Sequence, residues 1–205
     1  MAVDPRDLWI GFDLGSSSSK IVIQDYDSDR SYAIAFPEWA PKQNPYLLPT
    51  SLKESEYGVL SLARNGEASI SNFKGNLING HQKSVTYAAA YVALALRECR
   101  KKFMVDHGAE YKNKFIRWWI NLGLPAENID DQDLCETYRH IALAGWFLSE
   151  RDDLLSLDIV STTINSFLCD EHEDGIPPER VKVIPEVVAA VRGYAHSQGR
   201  DGICQ

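Results

Sequence analysis

The stretch LWIGFDLGSSSSKIVIQDYD, Leu8 to Asp27, constrains the fold more than any other part of the chain. Two runs rich in Ile, Leu, Val and aromatic residues, LWIGFDLG and SKIVIQDY, are each of strand length and are separated by glycine and serine, which reads as a β-hairpin. A third run, SYAIAFP at Ser31–Pro37, extends it to a meander of three antiparallel strands.

The connection between the first two strands carries chemistry. Gly15 and the small serines after it let backbone N–H groups approach an anion, the Ser16 and Ser17 hydroxyls add donors, and Lys20 adds a point charge. Asp13 at the mouth of the loop would repel a bare phosphate unless a divalent cation lay between them, and magnesium does so through waters. The combination suggests a Mg-nucleotide. The bland alternative is a serine-rich hairpin turn with a solvated Asp and Lys. The loop lacks both the Gly-x-x-x-x-Gly-Lys spacing of a P-loop and the Gly-x-Gly-x-x-Gly of a Rossmann turn.

Further along, Pro41, Pro45 and Pro49 forbid a long helix and suit a loop with a short edge strand around Leu47. GVLSLA reads as a strand followed by the turn RNGEA. Lys83–Val105 is dense in Ala and Leu, has no Gly or Pro and ends in Arg and Lys, so it is the clearest helix. KFIRWWINLGLPAE returns to strand composition, and Trp118 and Trp119 alternate along it as one core and one interface side chain. DQDLCETYRHIALAGWFLSE has an Asp N-cap and helical spacing of Leu134, Tyr138, Ile141, Ala142 and Trp146. LLSLDIVSTTINSFL is helix or strand; periodicity does not decide. A short strand, VKVI, then runs into a helix at PEVVAAVRGYAHS, with Pro185 at its first position.

Composition excludes several classes. At 205 residues and 44% hydrophobic, the chain can bury a well-covered core. A net charge of −8 with no Lys/Arg cluster argues against a nucleic-acid or anionic-membrane surface, and no apolar run nears the roughly twenty residues of a membrane span. Cys99, Cys135, Cys169 and Cys204 are far apart, so they read as reduced thiols of a cytoplasmic protein. The five histidines show no metal-ligand spacing.

IGFDLGSSSSKIVI resembles the first phosphate motif of the actin-like ATPase superfamily, which includes actin, bacterial filament ATPases, DnaK-type heat-shock chaperones and sugar kinases. Asp13, Gly15, Ser16 and Lys20 fall on its Asp-x-Gly-Ser/Thr positions and on the Lys five residues beyond the Gly. YLLPTSL at Tyr46–Leu52, with GVLSLA after it, is similar to a chaperone and actin segment in which Pro-Ser or Pro-Thr precedes a strand pair. INLGLPAE looks like the chaperone strand that ends in a Val-Pro-Ala turn, and VKVIPEVVAAVRGYAHSQGRDGI resembles the first connecting motif, which places Glu186 at its acidic position.

The resemblance implies an α/β domain of ribonuclease-H-like type, a mixed five-stranded sheet with helices on both faces and an upper subdomain inserted at about 46–104. The stretch 154–179 falls outside it as an insertion. It implies that Asp13 binds Mg²⁺ through water, that Gly15, Ser16 and Ser17 hold the β- and γ-phosphates of ATP, that Lys20 neutralises their charge, and that Glu186 orients or deprotonates the attacking water. Lys74, in NFKGN, lies where DnaK-type chaperones bring a lysine to the γ-phosphate, and is read here in preference as a solvated surface side chain.

Residues 1–205 would then be the N-terminal lobe of a protein whose second lobe supplies the other wall of the ATP site, and this lobe alone would hydrolyse little. The expected activity of the intact protein is Mg-ATP hydrolysis used as a conformational switch, as in a divergent DnaK-type chaperone or actin-like ATPase, with a protein client or self-assembly as its partner. A sugar kinase of the same superfamily and a non-catalytic filament or assembly protein are the alternatives.

Overall fold

The computed structural model describes residues 4–67, 70–78, 81–125, 130–168 and 178–185. Strands β1 (Asp4–Asp13), β2 (Ser18–Asp25) and β3 (Arg30–Ala33) form the expected antiparallel meander. The third strand ends four residues before the Pro37 expected from the sequence. Ile34 still donates to the Ile21 carbonyl of β2 at 3.0 Å, and the Phe36 N–H then turns away to the Pro45 carbonyl.

The short strand β4 (Leu48–Pro49) pairs with the start of β2, and β5 (Leu52–Glu54) and β6 (Leu60–Leu62) form a separate two-stranded sheet. Gly66, at φ +86°, makes the turn that follows β6. A short helix that sequence reading did not anticipate, α1 (Phe73–Ile78), precedes the long α2 (Gln82–His107). Then come β7 (Lys114–Leu124), α3 (Gln132–Ser149), α4 (Leu157–Leu168) and β8 (Val181–Pro185). The ambiguous Leu154–Leu168 segment is therefore helical over most of its length, with Val160 and Ile164 buried at helical spacing. The helix expected after Pro185 lies outside the described residues.

The main sheet runs β3-β2-β1-β7-β8, with β7 parallel to β1 and β8 parallel to β7. With β4 hydrogen-bonded to β2, it has six strands, where five were expected. Alternation decides its two faces. Leu8, Ile10 and Phe12 of β1, Ile21 and Ile23 of β2, and Ile120 and Leu122 of β7 share one face and are almost wholly buried. Each such side chain contributes about 1.5–3 kcal/mol by leaving water.

That face is covered by α2 and α3. Tyr91 meets Phe12 edge to face, and Phe103 meets both Tyr32 and Trp118. The sequence implied helices on both faces. Among the described residues they cover this face, while Trp9, Gly11, Asp13, Lys20, Val22, Trp119 and Asn121 line the other and are half-buried or exposed. The two tryptophans expected to divide between core and interface lie on opposite faces of the sheet: Trp118 packs on Phe103, and Trp119 stacks on Trp9 of the same chain with ring centroids 4.6 Å apart.

The layer is tied together at specific points. Asp131 caps α3 by accepting from the Leu134 N–H at 3.0 Å, as its position before an amphipathic run predicted. From α2, Arg97 and Arg100 donate to the Leu148 and Ser149 carbonyls at the end of α3, each at 2.7 Å. The last carbonyls of a helix have no partner within it; the Leu148 carbonyl also accepts from the Arg151 N–H at 3.4 Å, and the two arginines add to these bonds. At the far end of β2 the buried Asp25 carboxylate accepts from Arg6 and from the Tyr111 hydroxyl.

Candidate functional site

The connection between β1 and β2 is a tight turn at one end of the sheet. Asp13 and Lys20 sit directly opposite each other in the antiparallel register, both exposed and both on the face away from α2 and α3. Between them Leu14 is buried and anchors the turn, whereas Ser16 and Ser17 are exposed. The Gly15 N–H donates back to the Asp13 carbonyl at 3.1 Å.

Gly15 is demanded by space. A Cβ there would lie 2.1 Å from the Ser18 carbonyl oxygen, so no side chain fits without moving the backbone of the turn. The five loop residues read from the sequence, Asp13, Gly15, Ser16, Ser17 and Lys20, are thus brought together at one mouth. Glu186, the remaining expected site residue, lies outside the described residues.

Beneath the exposed turn is a buried polar layer that sequence reading missed. The Thr50 N–H donates to the Ser17 carbonyl at 3.0 Å, and the Thr50 and Ser19 hydroxyls share a hydrogen bond of 2.9 Å. Ser19, Thr50 and Tyr91 are each at most 1% exposed. Tyr91 donates to the Leu48 carbonyl at 3.4 Å, and burial raises its phenol above the usual range, so it stays protonated and able to donate. The available signal was the Pro-Thr-Ser of YLLPTSL; its partner Ser19 was hidden in a run of identical residues.

Lys74 departs from expectation. It is not a solvated surface lysine: its residue is only 7% exposed, because α1 packs against α2 and turns Phe73, Lys74 and Leu77 inward. Phe73 stands 5.4 Å from Tyr91, ring centroid to centroid.

The donor set fits a hydrated magnesium ion carried by phosphates. Magnesium keeps several waters and needs only one or two carboxylates beside the phosphate oxygens. An exposed Asp13 beside a hydroxyl-rich turn is that kind of environment, and among the described residues no cluster of three or more His, Cys, Asp or Glu could cage a metal outright. A separate cavity of about 460 Å³ lies between α3 and β8, lined by Gln132, Cys135, Glu136, Arg139, Val181 and Val183 and sharing no residue with the turn. Among the described residues no helix is long and apolar enough to cross a membrane. Compared with known proteins, the chain matches no family model, no curated protein and no solved structure.

Proposed function

We propose that this chain is a Mg-ATP-binding lobe of the actin-like ATPase type, in which bound nucleotide acts as a conformational switch for the intact protein. The observation that carries the reading is the Asp13–Lys20 pair, in register across a turn that only a glycine at position 15 allows. In this role the Gly15–Ser17 backbone and hydroxyls hold the β- and γ-phosphates, Lys20 neutralises charge on them, and Asp13 holds the magnesium through water. The metal ion would shield the phosphates from the carboxylate and balance the charge that develops between them.

The sheet supports the same reading. Three antiparallel strands followed by two strands parallel to the first is the order a ribonuclease-H-like sheet requires, and the turn sits at the end of its first hairpin. A chaperone-like or filament-forming ATPase in the cytoplasm is the form of this activity that the sequence resemblance favours. Fold alone does not choose between them or exclude a sugar kinase.

The deciding experiment is calorimetric titration of the intact protein with ATP and Mg²⁺, repeated on Asp13→Ala and Lys20→Ala. Binding that both substitutions weaken is the expected result. An intact protein that binds no ATP would overturn the reading and leave an interaction-only relative.

A further inference from the structure

We propose that Thr50 is the positioning residue of the Leu14–Ser17 turn, and that it couples whatever occupies the turn to the β5–β6 hairpin. The assignment of nucleotide to the turn rests on the function proposed above; the brace itself rests on geometry alone.

Thr50 grips the turn at two places two residues apart. Its main chain donates to the Ser17 carbonyl, and its side chain bonds the Ser19 hydroxyl. Ser18 lies between these points, and its carbonyl is the group that the bare Cα of Gly15 approaches. The shape of the turn is therefore set at Ser18, and Ser18 is held on both sides by Thr50. Pairing of Ser18 with Pro49 and of Ser19 with Leu48 extends the same grip along β4.

The other side of the brace leads away from the turn. One residue on, the Ser51 carbonyl accepts from the Ala63 N–H at the end of β6, at 3.1 Å. The next residue, Leu52, begins β5 and exchanges both backbone hydrogen bonds with Ile70, at 2.9 and 2.7 Å. Five consecutive residues, Leu48–Leu52, thus bond the turn at one end and the β5–β6 hairpin with its flank at the other. Any shift of Ser17 or Ser19 on binding pulls directly on this segment.

A buried hydroxyl pair that merely satisfied itself would leave the turn indifferent to its loss. Thr50→Val keeps the volume and the main-chain bond but removes the hydroxyl that joins Ser19 to β4, leaving Ser19 only the Tyr91 hydroxyl beside it, whereas Thr50→Ser keeps the bond. Amide hydrogen exchange is measured on the intact, nucleotide-free protein. Thr50→Val is expected to speed exchange of the Ser16–Ser19 amides by about fivefold to tenfold, as loss of one buried hydrogen bond does, with Thr50→Ser close to wild type. The amides of Ala88–Ala90 in α2 serve as the control and are expected to be unchanged.

Unchanged exchange at Ser16–Ser19 in Thr50→Val, or an equal rise in α2, would overturn the brace. The coupling is read by adding ATP and Mg²⁺ to wild type, which should slow exchange at Ala63 and Ile70, an effect lost in Thr50→Val. If wild type binds no ATP, the nucleotide reading fails on its own and the nucleotide-free comparison still decides the brace. If the Thr50→Val protein does not fold, the Ser19→Ala, Thr50→Val double variant, which removes both hydroxyls of the pair, takes its place with the same expected and overturning results.

Discussion

Gly15 and Ser18 meet so closely across the β1–β2 turn that the smallest side chain at position 15 would overlap the Ser18 carbonyl oxygen. Gly15→Ala must therefore open the turn, which in the proposed function would turn the Ser16 and Ser17 groups away from a common anion. We expect ATP affinity to fall by about tenfold or more, with a loss of stability of about 1–3 kcal/mol, typical of a backbone clash that local adjustment relieves. Calorimetry and thermal unfolding read the two effects. Affinity and stability equal to wild type would show that the contact is dispensable.

Asp13 and Lys20 stand opposite each other, but the proposed function gives them different partners, which separates their variants. In the proposed function Asp13 would reach phosphate only through the metal, whereas Lys20 would oppose the phosphate charge directly. Removing Mg²⁺ with a chelator should lower ATP affinity in wild type and in Lys20→Ala. Asp13→Ala should bind about tenfold more weakly than wild type with Mg²⁺ present and respond far less to the chelator. Titration of the three proteins with and without chelator checks this, and an equal response in both variants would exclude the division of roles.

The hairpin, the long α2, the Asp131 cap and strand β7 were all legible, because each is written in local chemistry: alternation, an Ala-rich run, a capping carboxylate. The loop residues were legible for the same reason, being adjacent in sequence. What could not be read is what depends on distant partners. Thr50 becomes part of the site only because β4 folds back on β2, 31 residues from Ser19. Lys74 looked solvated because nothing local shows that α1 turns it toward α2. The periodicity of Leu157–Leu168 was ambiguous because its threonines and serines suit either state, and packing against α2 and α3 selects the helix.

Asp25 gives the fold an acid limit. Burial works against its charge, but hydrogen bonds from Arg6, Ser28 and Tyr111 outweigh that and hold the carboxyl below the usual range. The folded state therefore binds this proton less readily than the unfolded chain. Its stabilisation is complete above the ordinary carboxylate value of about 4 and fades as pH falls through the lower folded value. Asp25→Asn should cost about 1–3 kcal/mol at neutral pH, because Arg6 loses one of its two carboxylate partners and keeps only Asp27, and should flatten the stability profile below about pH 4. Denaturant unfolding across pH 2–7 measures both, and a profile superimposable on wild type would refute the assignment.

Gly145 of α3 lies close against Val92 and Ala89 of α2, and it sets a conflict between local and tertiary preference. Alanine favours a helix over glycine by about 1 kcal/mol, so helix propensity alone predicts that Gly145→Ala stabilises. A Cβ there would lie 2.6 Å from Val92 Cγ1, 2.9 Å from Val92 Cβ and 3.3 Å from the Ala89 carbonyl oxygen. Val92 is β-branched and fully buried, so it has one favoured rotamer in the helix and no empty space to move into. The helices must separate, and the Arg97 and Arg100 bonds to the end of α3 stretch with them. Overpacking should win, with a net loss of about 1–3 kcal/mol. The double variant Gly145→Ala, Val92→Ala relieves the clash at the cost of a cavity. It should therefore be less destabilised than the sum of its single variants, and strict additivity in chemical denaturation would show that the two side chains do not collide.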